Sequence, residues 1–298
     1  METQQNHEAV LGGNRLFWSE CGEGPPLLLV HGFLVNHKEW GSVLPLLSPH
    51  FRCIAPDLLG FGRSDKPLDS FDYTRASFAH TLHLLLNHLK LEQVDICGHS
   101  MGGSIAIQYA AQHPSRVRKL SLIDSACYPF SIPLKGRLPL MPVIGPFLFK
   151  HLYRRPIFRD YFKREVWSDH PNIDERSVDE YYEEFTPPLS REAAYRCLKA
   201  TISMDSLVPL IPMVRAETAV IWGEEDRIFP LELGQRLSRE IPNATLTVLD
   251  RCGHAPNEER PQETANVIKK HHMGESSPKL KGQRAANIDH ATSESPSA

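Results

Sequence analysis

The sequence predicts an open α/β fold, a mostly parallel sheet covered on both faces by helices. Three observations carry that prediction. Six short apolar runs recur along the chain, near-continuous rather than alternating, as in strands buried on both faces. Helix-like segments lie between them, and alternation of strand and helix marks this class. The residues with chemical potential gather just after the runs, where open parallel sheets bind their ligands.

The runs span residues 26–30, 51–55, 94–97, 120–123, 218–222 and 244–249. They end at His31-Gly32, Pro56-Asp57, Gly98, Asp124, Gly223 and Asp250. Residues 78–89 place Leu82, Leu85, Leu86 and Leu89 on one helical face. Residues 104–113 are rich in Ala and Ile and stop at Pro114; residues 231–240 are amphipathic and stop before Pro242. From 127 to 208 no clear strand occurs, and the stretch reads as a helical cap inserted after the 120–123 strand. The core is then 1–126 with 209–273, and the Ser- and charge-rich tail 274–298 reads as disordered.

Composition narrows the function classes. With 298 residues the chain can bury a substantial core as one large domain or two small ones. A formal charge of −3 gives no global argument for nucleic acid or an anionic membrane. Cys21, Cys53, Cys97, Cys127, Cys197 and Cys252 form no CxxC pair, which argues for reduced structural thiols rather than a zinc site. The N-terminus lacks a signal-peptide pattern, and Pro139, Pro142 and Pro146 interrupt the longest apolar stretch. These features favour a cytoplasmic protein. Within the cap, a basic half from Lys135 to Arg164 precedes an acidic half from Asp169 to Glu184. Mutual pairing of the halves is the favoured reading, and a membrane-facing lid is the alternative.

Gly98-His99-Ser100-Met101-Gly102 matches the G-x-S-x-G nucleophile elbow, a sharp turn that aims a serine Oγ into a pocket. The context agrees, because a strand ends at Cys97 and a helix starts near Gly103. A serine alcohol needs a base, and a histidine base needs a carboxylate to hold its tautomer. His254 follows the last strand and Asp226 follows the one before, so both can converge on Ser100. Glu224 and Glu225 compete locally with Asp226, and Asp124 competes from a distance. His99, His113, His271 and His272 read as surface or structural. The oxyanion donors should be the backbone N–H of Met101 and one from the loop after the first run, with Phe33 first and Leu34 second.

These motifs together resemble the α/β-hydrolase family from about Leu27 to Glu263. The likeness rests on His31-Gly32-Phe33, Pro56-Asp57-Leu58-Leu59-Gly60-Phe61-Gly62-Arg63-Ser64-Asp65, the elbow, Gly223-Glu224-Glu225-Asp226 and Gly253-His254-Ala255-Pro256-Asn257-Glu258. It implies an eight-stranded, mostly parallel sheet, a cap over the site and a chiefly structural 60–65 loop. Ser100 stands where the family's epoxide hydrolases and haloalkane dehalogenases need aspartate. Ala255 stands where its carbon–carbon bond hydrolases usually carry tryptophan, and Leu34 where its cofactor-free haloperoxidases or perhydrolases usually carry proline. What the resemblance leaves foremost is a serine hydrolase of an ester, of lipid or another apolar acyl group, needing no metal or organic cofactor. The apolar cap residues 138–144 either line an acyl pocket or pack on the core. Two non-enzyme alternatives stand beside it, a ligand receptor on a hydrolase scaffold and a membrane- or partner-binding protein using the basic cap segment.

Overall fold

Each of the six apolar runs becomes a strand of an eight-stranded sheet. The computed structural model describes residues 4–129, 138–168 and 175–274. The expected disordered tail beyond Gly274, and the cap residues 130–137 and 169–174, lie outside the described residues. The strands are β1 (Gln5–Leu11), β2 (Asn14–Cys21), β3 (Pro26–Val30), β4 (Arg52–Pro56), β5 (Val94–His99), β6 (Val117–Ile123), β7 (Glu217–Gly223) and β8 (Ala244–Leu249). Their order across the sheet is β1-β2-β4-β3-β5-β6-β7-β8. The β1–β2 and β2–β4 pairs are antiparallel, and every other pair is parallel. The order reverses direction between β3 and β5, which opens a crevice at their carboxyl ends.

The helices used below are α1 (Arg75–His88), α2 (Met101–Gln112), α3 (Arg155–Tyr161), α4 (Glu175–Phe185), α5 (Pro188–Thr201), α6 (Leu231–Glu240), α7 (Pro256–Glu259) and α8 (Pro261–Met273). The period-two geometry of a strand explains why its run is apolar throughout. Leu28 and Val30 of β3 belong to one core with Leu82 of α1, Ile105 of α2 and Leu237 of α6. Leu27 and Leu29 belong to a second core with Ala265 and Ile268 of α8. Both faces are therefore covered, and burying each such Leu fully is worth about 1.5–3 kcal/mol.

The sequence reading does not anticipate β1, β2 or α8. β1 pairs on one side only and shows an exposed–intermediate alternation, so its polar residues produce no apolar run. Its partner is reached through Gly12 and Gly13, at φ +58° and +85°, joining Leu11 to Asn14. Left-handed φ at both central residues is the demand of a two-residue hairpin. α8 carries few large apolar residues, and besides the packing of Ala265 and Ile268 it is tied by polar contacts. Buried His272 lies 2.8 Å from Ser121 Oγ and 3.0 Å from Asp95.

Between β6 and β7 lies a helical insert containing α3, α4 and α5. Phe158 of α3 stacks on Phe162 and Phe185 with ring centroids 5.1 and 5.7 Å apart. The two charged halves of this insert meet face to face. Arg155 pairs with Asp179 at 3.6 Å and Glu183 at 3.3 Å, and Arg159 Nε donates to Asp179 at 2.7 Å. Its apolar residues behave differently: Pro139 and Leu140 face an internal cavity, while Met141, Val143 and Ile144 are exposed. All six cysteines are buried thiols. No helix among the described residues is long and apolar enough to cross a membrane.

Candidate active site

The elbow forms where β5 meets α2. Ser100 has φ +52° and ψ −116°, a conformation costing a non-glycine residue about 1–3 kcal/mol. The turn is held from several sides: Ser100 N donates to Ile123 O at 2.9 Å, and Ala126 N donates to Ser100 O at 3.1 Å. Gly102 is required for a separate reason, since a Cβ there would run into the carbonyl oxygen of Val30.

His254 sits between β8 and α7. Its loop is pinned by Glu259, which accepts hydrogen bonds from Gly253 N at 3.0 Å and Ala255 N at 3.2 Å. His254 Nε2 lies 2.9 Å from Ser100 Oγ, and Nδ1 lies 2.8 Å from Asp226 Oδ2. Asp226 Oδ1 accepts from the N–H groups of Ile228 (2.7 Å) and Phe229 (3.0 Å). Burial alone would raise the Asp226 carboxyl, but the His254 ring, Asp124 and the Phe229 N–H hold it below the usual range. The rival acids fall out on position. Glu224 and Glu225 are exposed, while Asp124 is fully buried and accepts the N–H of Gly223 at 3.1 Å. Burial and the neighbouring Asp226 charge push Asp124 well up, so it stays protonated. Asp124, Asp226 and His254 do bring donor atoms within 4.8 Å of one another, a spacing that could hold a metal ion. Here hydrogen bonds to Gly223, His254, Ile228 and Phe229 engage the two carboxyls.

Both residues expected to supply oxyanion donors line the cavity that holds Ser100. Met101 is the first residue of α2, so its N–H has no partner within the helix. Phe33 lies on the loop after β3, and Leu34 beside it has φ +65°. Gly32 lets this loop come close to the elbow, since a Cβ there would sit 3.1 Å from His99 Nδ1. The 57–65 segment stays structural. Ser64 Oγ donates to Asp57 O at 2.6 Å, and Arg63 N donates to Asp57 Oδ2 at 2.7 Å.

Ser100 and His254 open into a cavity of about 890 Å³. Its walls are mainly apolar and aromatic, with Phe33, Phe149, Tyr161, Phe162, Leu198 and Phe229 among them. Five carboxyl side chains also line it, Glu39, Asp160, Glu165, Glu232 and Glu258, against the single guanidinium of Arg227 among the described residues. The sequence reading misses three of the cavity's polar groups. His99, read as surface or structural, is buried beside the site, and Glu39 and Glu258 stand with it. Glu258 bridges core and insert, accepting from Tyr181 Oη at 2.8 Å and Trp167 Nε1 at 3.0 Å. The available signal for Glu258 was its place four residues after His254; nothing in the sequence marked Glu39.

This sheet, with a Ser–His–Asp chain at its carboxyl edge, defines the class of α/β hydrolases. The family model described as alpha/beta hydrolase fold matches residues 25–261, and the chain belongs to that family. Uncharacterized hydrolase YugF of Bacillus subtilis (strain 168) is 34% identical over 241 residues, 79% of this chain and 85% of that protein. The 2-hydroxy-6-oxo-2,4-heptadienoate hydrolase of Pseudomonas putida is 31% identical, covering 82% and 88% of the two chains. Lipase 1 of Psychrobacter immobilis is 30% identical, covering 87% and 81%. Among solved structures, the 2-hydroxy-6-oxo-6-phenylhexa-2,4-dienoate hydrolase of Rhodococcus sp. strain RHA1 superposes with a TM-score of 0.79 at 26% identity. The match covers 92% of this chain and all of that one.

Proposed function

We propose that this hydrolase cleaves a neutral carboxylic ester with an apolar acyl group through an acyl-enzyme on Ser100. The observation that carries the reading is the Ser100–His254–Asp226 hydrogen-bonded chain opening into an apolar cavity. His254 Nε2 takes the Ser100 proton as Oγ attacks the ester carbonyl. The N–H groups of Phe33 and Met101 stabilise the oxyanion. His254 returns the proton to the leaving alcohol, then activates the water that releases the acid. Asp226 keeps the ring in the Nε2-accepting tautomer and stabilises the imidazolium.

The similarity to dienoate hydrolases favours a second reading, carbon–carbon bond hydrolysis by the same serine. Two features weigh against it. A dienoate is an anion, and apart from the Glu39–His99 pair and Glu258 the described cavity wall offers it the carboxyls of Asp160, Glu165 and Glu232 against the guanidinium of Arg227. Ala255 also stands where that group usually carries tryptophan. The test is fluorophosphonate labelling followed by parallel turnover of p-nitrophenyl esters and a 2-hydroxy-6-oxo-dienoate. Labelling at Ser100, with ester kcat/KM at least ~100-fold the higher, is expected, a gap of ~2.7 kcal/mol in transition-state stabilisation. Faster turnover of the dienoate overturns the ester assignment, and labelling that persists in Ser100→Ala overturns the nucleophile.

A further inference from the structure

We propose that Glu39 and His99 form a buried positioning pair that locks together the three loops carrying the nucleophile, the base and the oxyanion donors. The proposal rests on the reading of Ser100 and His254 given above. His99 precedes Ser100 in the elbow. Its Nε2 lies 2.7 Å from the backbone oxygen of His254, and its Nδ1 lies 3.1 Å from Glu39 Oε2. The other carboxyl oxygen of Glu39, Oε1, accepts the N–H of Gly32 at 3.1 Å, at the start of the Phe33 loop. The backbone oxygen of Glu39 accepts from Asn257 Nδ2 at 3.0 Å, on α7 just beyond His254. One carboxyl and one imidazole therefore link the elbow, the His254 loop and the Phe33 loop.

The hydrogen-bond inventory narrows the protonation of this pair. A backbone carbonyl only accepts, so Nε2 of His99 must carry a proton. Nδ1 then meets a carboxylate oxygen. One proton must therefore lie between Nδ1 and Glu39 Oε2, and the proposed arrangement places it on the ring, which then donates from both nitrogens. The surrounding charges agree. Glu39 faces His99 from the turn at His37–Trp40, Glu258 from α7 and the His254 ring from the β8–α7 loop, at a centroid distance of 5.1 Å. His31, Cys97 and Tyr181 lie within electrostatic reach of Glu39. Burial pulls the His99 imidazole down, but Glu39, the His254 carbonyl and Glu258 bring it above its ordinary value. When His99 loses its second proton at alkaline pH, Nδ1 and Glu39 repel, and the tie between loops slackens.

The test uses Glu39→Gln and Glu39→Ala in the full chain. The glutamine can accept from Gly32 and donate to Nδ1, so every hydrogen bond survives without charge; the alanine removes both links. The readouts are the rate of fluorophosphonate labelling at Ser100, the pH profile of kcat/KM on p-nitrophenyl acetate, and imidazole nitrogen NMR of His99. Misplacement of reacting groups by about 1 Å costs roughly 10²-fold. Glu39→Ala is therefore expected to slow labelling by about that factor with the loss in kcat rather than KM, and Glu39→Gln by a few-fold only. The wild type is expected to show two His99 N–H groups at neutral pH and an alkaline limb above the ordinary histidine range. Glu39→Gln is expected to show one N–H and no such limb. Wild-type labelling in Glu39→Ala, or a singly protonated His99 in the wild type, overturns the proposal. Failure of the wild type to label at Ser100 would instead overturn the reading of the site, while NMR still decides the state of the pair.

Discussion

Asp124 and Asp226 bring carboxyl oxygens within 4.8 Å of each other and of a ring nitrogen of His254, yet the bond to Nδ1 is made by Asp226, at 2.8 Å. Both acids follow parallel strands, so chain position alone leaves them as rivals. Their surroundings separate them. Asp226 accepts two backbone N–H groups besides the ring and is held ionised, while Asp124 is driven to its protonated form. Asp226→Asn should lower kcat by about 10⁴, since an amide can force the wrong histidine tautomer. Asp124→Asn keeps a donor toward Asp226 and should cost less than about tenfold. Steady-state ester kinetics of the two variants decide the matter, and the opposite ranking would assign the role to Asp124.

A steric prediction concerns the elbow. A methyl at Gly102 would collide with the Val30 carbonyl, backbone against backbone, with no flexible side chain to give way. Gly102→Ala should lower unfolding free energy by about 3 kcal/mol or more, in the upper range of single substitutions. Urea denaturation followed by circular dichroism measures it. A loss under about 1 kcal/mol would mean that the β3 and β5 ends separate easily.

Legibility in the sequence followed apolar continuity and local motif. β3 to β7 announced themselves because both faces of their apolar runs are buried, the half-buried edge strand β8 by its apolar residues Leu246, Val248 and Leu249, and Ser100, Asp226 and His254 because each follows a strand end. β1 is polar because one edge and much of its surface meet solvent, so only Gly12-Gly13 hinted at its hairpin. Glu39 and His99 stayed hidden for another reason. They are 60 residues apart and acquire meaning only when the turn after β3 folds against the elbow.

Glu258 makes stability pH-dependent. Burial is the main force pushing its carboxyl up to about 7, and the nearby Glu39 adds to it. An unburied glutamate titrates near ~4.3. Between those values the native state holds a proton that the unfolded chain has released, so stability is full below the unfolded value and falls as pH rises through about 7. Glu258→Gln can still accept from Trp167 and donate to Tyr181, and it removes the titration. The wild-type Tm should therefore drop more between pH 5 and pH 8 than that of the variant. Parallel slopes for the two proteins would rule out Glu258 as the source.

The cavity makes the acyl-length preference adjustable from α5. Leu198 lines the wall contributed by the insert. Each buried methylene of an acyl chain is worth about 0.8 kcal/mol, so a wall that excludes two of them removes roughly an order of magnitude in kcat/KM. Leu198→Trp should fill part of the cavity and shift the preferred p-nitrophenyl ester toward shorter chains. Octanoate turnover should fall at least about tenfold relative to acetate turnover. Labelling of Ser100 by a small fluorophosphonate, which places no long chain in the cavity, should fall much less. An unchanged chain-length profile would mean that the acyl group occupies a different part of the cavity.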